Sequence, residues 1–318
     1  MPQPHQQQGR PSDVGPTSHH GGDEAAATGA RLWFRDGQVL LTPPAPGPRP
    51  DRARACTASL LSPGTELRRL RTGRPGETRA AGYMAMAASA SGEVVLAPAP
   101  HGGWVDPTHA DALGTAHGPL VAAAARFQLM AALGLGDLVP DPAGPPPVVL
   151  GSGPVALGAV LELLRRGAAR VDVRSSRPWP AVAGLAGVRV VPAVADGSAG
   201  LVLECTGSRL AEALAAAAPG ATVGLLGTPQ DAAPLDPLLV HRSSLRVLGM
   251  HELGGRRAAE RVARFREVGD WLAARFAPEQ FADWCHVTPG DHAPELYRAL
   301  LAGRRPQPPL LLLDWSAS

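Results

Sequence analysis

The chain is 318 residues long and 45% apolar, with 30 basic and 28 acidic side chains and a formal net charge of +2. That length suits about two domains of roughly 100–200 residues each, and the near-neutral balance argues against nucleic acid as a partner. Every basic residue is Arg, which excludes Schiff-base chemistry, lysine-anchored pyridoxal phosphate and a Walker A loop.

Residues 1–29 carry Gln, Pro, Gly, Ser and His with few large apolar side chains. They are expected to form a disordered tail, because they bury too little to offset their ordering entropy. This start has no apolar h-region, and no later segment runs about 18 apolar residues without a charge, so a soluble chain with no membrane partner is expected. Cys56, Cys205 and Cys285 are odd in number and far apart. They indicate neither a disulfide framework nor a Cys-rich zinc knuckle, and fit a reduced, cytoplasmic setting.

From 30 to 119, short runs broken by Gly and Pro (Gln38–Leu41, Ala55–Leu61, Glu93–Ala97) predict a small β-rich unit. Leu120–Leu133 has no breaker and predicts a helix leading out of it. Apolar strands are then predicted at Val148–Leu150, Arg170–Val173, Val188–Val191, Leu201–Leu203, Ala221–Leu226 and Leu245–Leu248, with helical stretches between most of them. Such alternation predicts an α/β, doubly wound, six-stranded parallel sheet covered on both faces. Arg256–Phe276 closes this unit as a helix, and Trp284–Trp315 reads as strand, short helix (Pro294–Leu301) and strand (Leu310–Leu313), returning to the β-rich unit.

The first of these strands runs into Gly151-Ser152-Gly153-Pro154-Val155-Ala156. Gly151 permits a tight turn, Gly153 lets backbone approach a pyrophosphate, and Ala156 lets helix lie against strand. Pro154 suits the first helical turn, and the amides from Val155 onward point at the phosphates. A dinucleotide is therefore the expected cofactor. At the end of the second strand, where a carboxylate would grip the ribose of NAD, stand Arg174-Ser175-Ser176-Arg177. A hydroxyl flanked by two guanidiniums suits a 2′-phosphate, so NADP(H) is preferred over NAD(H). Asp172 is the competing ribose ligand if the register shifts by one turn.

Further motifs stand at Ser62-Pro63-Gly64-Thr65-Glu66, Gly82-Tyr83, Glu204-Cys205-Thr206-Gly207, Leu226-Gly227-Thr228, His241–His251 and His292–Trp315. Together with Gly151–Gly158 they resemble the medium-chain dehydrogenase/reductases, the alcohol dehydrogenase superfamily. The resemblance implies a reduced GroES-like β domain over 30–119, shortened between Gly82 and Val94, a Rossmann domain over 120–282 and a return segment over 283–318. It also implies a homodimer joined through the last Rossmann strand. Zinc members of the family place a Cys near Pro63 and a Gly-His-Glu set where Gly82-Tyr83-Met84 stands. Both ligand types are missing, as is the four-Cys lobe, so no zinc is expected.

Without a metal, protonation of a reduced carbonyl falls to a side chain. The candidates are Tyr83, standing where the family has its ligand histidine, His117, just before the helix at Leu120, and Glu66, beside the family's catalytic turn, to orient a donor. His101 and His251 are further candidates. Thr206, Gly207, Gly227 and Gly249 are expected cofactor contacts, since a doubly wound sheet presents its ligand at strand ends. The expected activity is a zinc-independent, NADP(H)-dependent hydride transfer to or from a small carbonyl or alcohol. A quinone or enoyl reductase, and a non-catalytic dinucleotide-binding protein, stay open beside it.

Overall fold

The computed structural model describes residues 29–43, 50–229, 234–252 and 258–316. All of the expected tail but Gly29 lies outside the described residues. The chain first lays down strands β1 (Leu32–Arg35), β2 (Gln38–Leu41), β3 (Arg54–Ala55) and β4 (Ala58–Leu61), helix α1 (Pro63–Arg71), then β5 (Thr78–Ala80), β6 (Ala85–Ala88), β7 (Val94–Ala97), β8 (Trp104–Val105) and β9 (Leu113–Thr115). The α/β part follows as α2 (Pro119–Leu135), β10 (Val148–Leu150), α3 (Pro154–Arg165), β11 (Val171–Arg174), α4 (Pro180–Ala183), β12 (Val188–Val191), β13 (Ala199–Glu204), α5 (Leu210–Ala216), β14 (Ala217–Leu225), α6 (Pro237–Arg242), β15 (Arg246–Gly249), α7 (Ala258–Arg275) and α8 (Pro278–Trp284). β16 (Cys285–Pro289), a short 3-10 turn, α9 (Ala293–Leu301) and β17 (Leu310–Asp314) end it.

The six predicted strands form one parallel sheet in the order β12-β11-β10-β13-β14-β15. This is the doubly wound order whose ligand crevice opens beside the first strand. Burial explains it. Along β10, Val149 faces a core shared with α2, α3 and α7, while Val148 and Leu150 face a second core with Ala213 and Leu214 of α5. A strand apolar on both faces needs helices on both. Helices α2 and α3 meet backbone to backbone: a Cβ on Gly158 would lie 2.1 Å from the Phe127 carbonyl oxygen. Only glycine allows that crossing.

A second six-stranded sheet runs β16-β17-β4-β6-β7-β9. Its strand β17 comes from the end of the chain and pairs parallel with β16 and antiparallel with β4. Leu60, Leu61, Leu311 and Leu313 of this junction are all nearly fully buried. The predicted run Ala55–Leu61 is broken here: β3 pairs with β8, and β4 joins the six-stranded sheet. The Cys56 amide donates to Gly103 and the Thr57 amide to Met86, so the chain changes partners between the two strands. Among the described residues, no helix is long and apolar enough to cross a membrane.

Candidate active site

At the end of β10 the chain turns sharply. Gly151 adopts φ 132°, a conformation that favours glycine, and its amide donates to the Arg174 carbonyl at 3.0 Å. Gly153 is the extended residue before α3, with Pro154 at the first helical position. A Cβ on Gly153 would meet no protein atom within 4 Å. This glycine relieves no internal clash, and the space above it belongs to the cleft.

That cleft is about 450 Å³, and Gly151–Val155 form its floor. One wall is Ser62–Thr65 at the start of α1, and another is made of Cys205, Thr206, Ser208, Arg209 and Thr228. Leu300 and Leu301 at the end of α9, with Gly303 and Arg305 just beyond it, form a further side. Across it, Arg68 of α1 donates to the Pro229 carbonyl at 3.0 Å. The segment Ser62–Glu66, met in the sequence as a turn, is the first turn of α1, with Ser62 extended before it and Pro63 leading the helix.

The wall after β13 is held by Glu204, a motif residue to which sequence reasoning gave no role. Its buried carboxylate accepts the Thr206 amide and the Gly207 amide, each at 2.8 Å, and the Thr206 hydroxyl. Thr206 therefore lines the cleft with its hydroxyl already committed. Gly207 and Gly227 serve the wall differently from the expected cofactor contact. Gly207 sits at φ 74°, and its Cβ would lie 1.9 Å from the Thr228 oxygen. A Cβ on Gly227 would lie 2.6 Å from the Cys205 carbonyl carbon. They let two strand-end loops interleave behind the lining. Gly249, at the exposed end of β15, is not brought to the cleft.

The arginines are distributed differently from the expected clamp. Arg174 lines the cleft, with Nη1 donating to the Ser175 carbonyl at 2.8 Å and Nε 3.0 Å from Glu212. Ser175 is buried and turns its hydroxyl to the Arg177 carbonyl at 2.6 Å. Arg177 binds the Ser152 hydroxyl (2.9 Å), the Ser152 carbonyl (2.7 Å) and the Pro306 carbonyl (2.7 Å). It braces the glycine turn against the segment after α9. Three cations that sequence reasoning did not place here, Arg71, Arg209 and Arg305, line the same cleft. Burial, and then Arg71, hold the Arg305 pKa below its ordinary value, and burial followed by Arg305 does the same to Arg177. Asp172 is not free to bind a ribose: Arg189 grips both its oxygens, at 3.0 and 2.6 Å, and Arg170 lies at 3.2 Å.

On the opposite wall, Glu66 is fully buried. Its carboxylate accepts the Ser62 amide at 3.0 Å, lies 2.9 Å from His101 Nε2 and accepts the Tyr297 hydroxyl. His101 Nδ1 is 2.7 Å from the Ser59 hydroxyl, which also accepts Trp315 Nε1 at 2.8 Å. Desolvation alone would raise the Glu66 pKa. The His101 charge, with hydrogen bonds from His101, Tyr297 and the Ser62 amide, outweighs it and lowers the pKa. This network fixes the start of α1; neither Glu66 nor His101 reaches the cleft. Tyr297 and Trp315 are distant in sequence from Glu66, and no local pattern announces them.

Tyr83 lies half-buried behind Ser62 and Thr65. Burial raises its phenol pKa, while the hydroxyls of Ser62 and Thr65 beside it, and Arg126, pull the other way. Arg126 is itself clamped by Glu252 through two bonds of 2.8 and 2.7 Å. His117 stands apart: it pairs with Asp270 of α7 at 2.8 Å and does not line the cleft. Among the described residues, no group of three or more His, Cys, Asp or Glu is placed to hold a metal ion.

No protein-family model matches the sequence, and none of the curated proteins matches it significantly. Solved structures do match. Acetophenone reductase from Geotrichum candidum, solved with NAD, superposes with a TM-score of 0.68 at 15% identity, over 92% of this chain and 98% of that one. L-idonate 5-dehydrogenase from Escherichia coli gives 0.68 at 14% identity, over 91% and 98%. The quinone oxidoreductase from Thermus thermophilus, solved also with NADPH, gives 0.62 at 21% identity, over 90% and 100%. At these identities the likeness is one of architecture, and the chain has the fold of the medium-chain dehydrogenases and reductases.

Proposed function

We propose that the chain is a dinucleotide-dependent oxidoreductase that prefers NADP(H), works without zinc and acts on a small carbonyl or alcohol. One observation carries this reading. The helix-initiating turn Gly151–Val155 floors a cleft that a Gly153 side chain would invade, and Arg71 and Arg305 line that cleft. Helix-start amides and nearby guanidiniums are what a diphosphate requires. The cleft-facing Arg174 and the lack of a free carboxylate at the end of β11 support the NADP(H) preference.

A nicotinamide bound there supplies a hydride to a carbonyl carbon, or accepts one from an alcohol. Ser62 and Thr65 line the cleft wall, and Tyr83 stands behind them as the proton reservoir. Its raised pKa keeps the phenol protonated through neutral pH, so it can restore a proton to the Thr65 or Ser62 hydroxyl after either hands one to a carbonyl oxygen. Glu66, held by His101 and Tyr297, positions that wall without touching substrate. The zinc-independent reading rests on the donor set: Pro63 offers no metal ligand, and a protonated phenol at Tyr83 is a poor one.

The exposed Leu248 of β15 and Leu238 of α6, at the free edge of the parallel sheet, support a homodimer built on that edge. Sedimentation at micromolar concentration tests it. For the main proposal, NADPH and NADH are titrated against tryptophan fluorescence, and turnover is assayed on carbonyl and enone panels with and without chelator. Chelator-insensitive carbonyl turnover is expected. Turnover on enones or quinones alone would favour a quinone or enoyl reductase, and binding without turnover would favour a non-catalytic dinucleotide-binding protein.

A further inference from the structure

The side chain that answers Arg174 comes from another part of the sheet. Glu212, in the first turn of α5, reaches Arg174 Nε with Oε1 at 3.0 Å and Arg209 Nη1 with Oε2 at 2.7 Å. Arg174 rises from the end of β11, and Arg209 precedes α5 beyond the end of β13. The carboxylate therefore ties together two cations that line the cleft on either side of β10. All three side chains are partly screened from water, with relative exposures of 21%, 26% and 34% for Arg174, Arg209 and Glu212.

The fit is incomplete at Arg174. Its Nε is buried, and despite the short charge contact its N–H has no aligned acceptor among the described residues. One carboxylate thus serves two guanidiniums and leaves a buried donor aimed without a partner, a costly arrangement. A dianionic group between the arginines would satisfy it better, and a neutral hydroxyl there would find the carboxylate as its acceptor.

Resting on the proposed dinucleotide reading, we propose that Glu212 is a specificity-determining residue. It is a built-in counter-anion that occupies Arg174 and Arg209, competes with a 2′-phosphate and offers an acceptor to an unphosphorylated ribose. The acidic residue missing from the end of β11 is thereby supplied from α5. Glu212 restrains the preference for NADP(H) that the arginines would otherwise impose.

The test is equilibrium binding, by calorimetry, of NADP⁺ and NAD⁺ to the wild-type chain, Glu212→Gln and Glu212→Asp, with melting temperatures recorded for each. Glu212→Gln should tighten NADP⁺ by about three- to tenfold, the range for loss of one competing ion pair, and leave NAD⁺ unchanged or weaker. Glu212→Asp, which keeps the charge, should keep the wild-type ratio of affinities. A Glu212→Gln variant that shifts both dinucleotides equally, or neither, would overturn the inference and leave the proposed function standing. A folded wild-type chain that binds neither dinucleotide would overturn both.

Discussion

Arg177 and Ser152 are joined twice, Nε to the hydroxyl at 2.9 Å and Nη2 to the carbonyl at 2.7 Å. The bond to the carbonyl fixes the backbone of the glycine turn, and the third bond, to Pro306, anchors that turn to a distant part of the chain. In the proposed reading, Arg177 thus shapes the site for the diphosphate common to both dinucleotides. Arg177→Ala removes all three bonds and should weaken NADPH and NADH alike, by about tenfold or more. Titration of both dinucleotides by fluorescence checks it. A loss confined to NADPH would return Arg177 to the 2′-phosphate.

The glycines separate into two kinds. Gly153→Ala places a methyl group in the cleft and against no protein atom, so the melting temperature should hold while dinucleotide affinity collapses. Gly207→Ala forces a left-handed residue into the Thr228 carbonyl, and should cost at least about 1–3 kcal/mol of stability. Calorimetric melting of the two variants distinguishes these outcomes.

Tyr83→Phe should leave dinucleotide affinity intact and lower kcat by about 10²-fold, the scale of a lost general acid. Burial raises the phenol pKa, so wild-type carbonyl reduction should be level through neutral pH and decline only in strong alkali as Tyr83 ionises. The Phe variant should lack that alkaline limb. Stopped-flow pH profiles read both features.

Glu66 has a folded pKa below its unfolded value. A carboxylate of this kind contributes stability that is present above its unfolded pKa and lost as pH falls through the folded one. Wild-type protein should therefore lose stability in acid, beginning as pH falls into the ordinary glutamate range and continuing below it. Glu66→Gln should flatten that dependence and cost about 3–5 kcal/mol at neutral pH, since a buried partner is left unanswered. Urea unfolding at a series of pH values measures it.

Asp172→Asn should leave both dinucleotide affinities unchanged, because Arg189 already holds the carboxylate away from the cleft. A selective loss of NADH binding would show that Asp172 turns toward the ribose instead.

The parallel sheet was legible because its signals are local. Val148–Leu150 is continuously apolar, and the glycines at 151 and 153 adjoin it. All six of its strands were readable within a few residues of where they lie. The glycine turn that floors the cleft was legible for the same reason. Side-chain direction was not. Ser175 and Arg177 stand at the expected positions but point elsewhere: the Ser175 hydroxyl turns to the Arg177 carbonyl, and Arg177 turns to Ser152 and Pro306. His117, near the cleft in sequence, is drawn off by Asp270, 153 positions away. The Glu66 network and the Glu212 bridge join elements whose proximity only the folded topology creates.

Strand β17 lies between β16 and β4, bonded to both along its length. The sheet it completes begins more than two hundred residues upstream, with the whole parallel sheet intervening. A growing polypeptide must therefore hold Leu61 uncovered while it spins out everything between, and only then receive Leu311 and Leu313. Such a high contact order makes assembly of the β unit slow and prone to association during synthesis. Rossmann packing, closed by sequence neighbours, should precede it, making the β half the late and chaperone-sensitive step in the life of this chain.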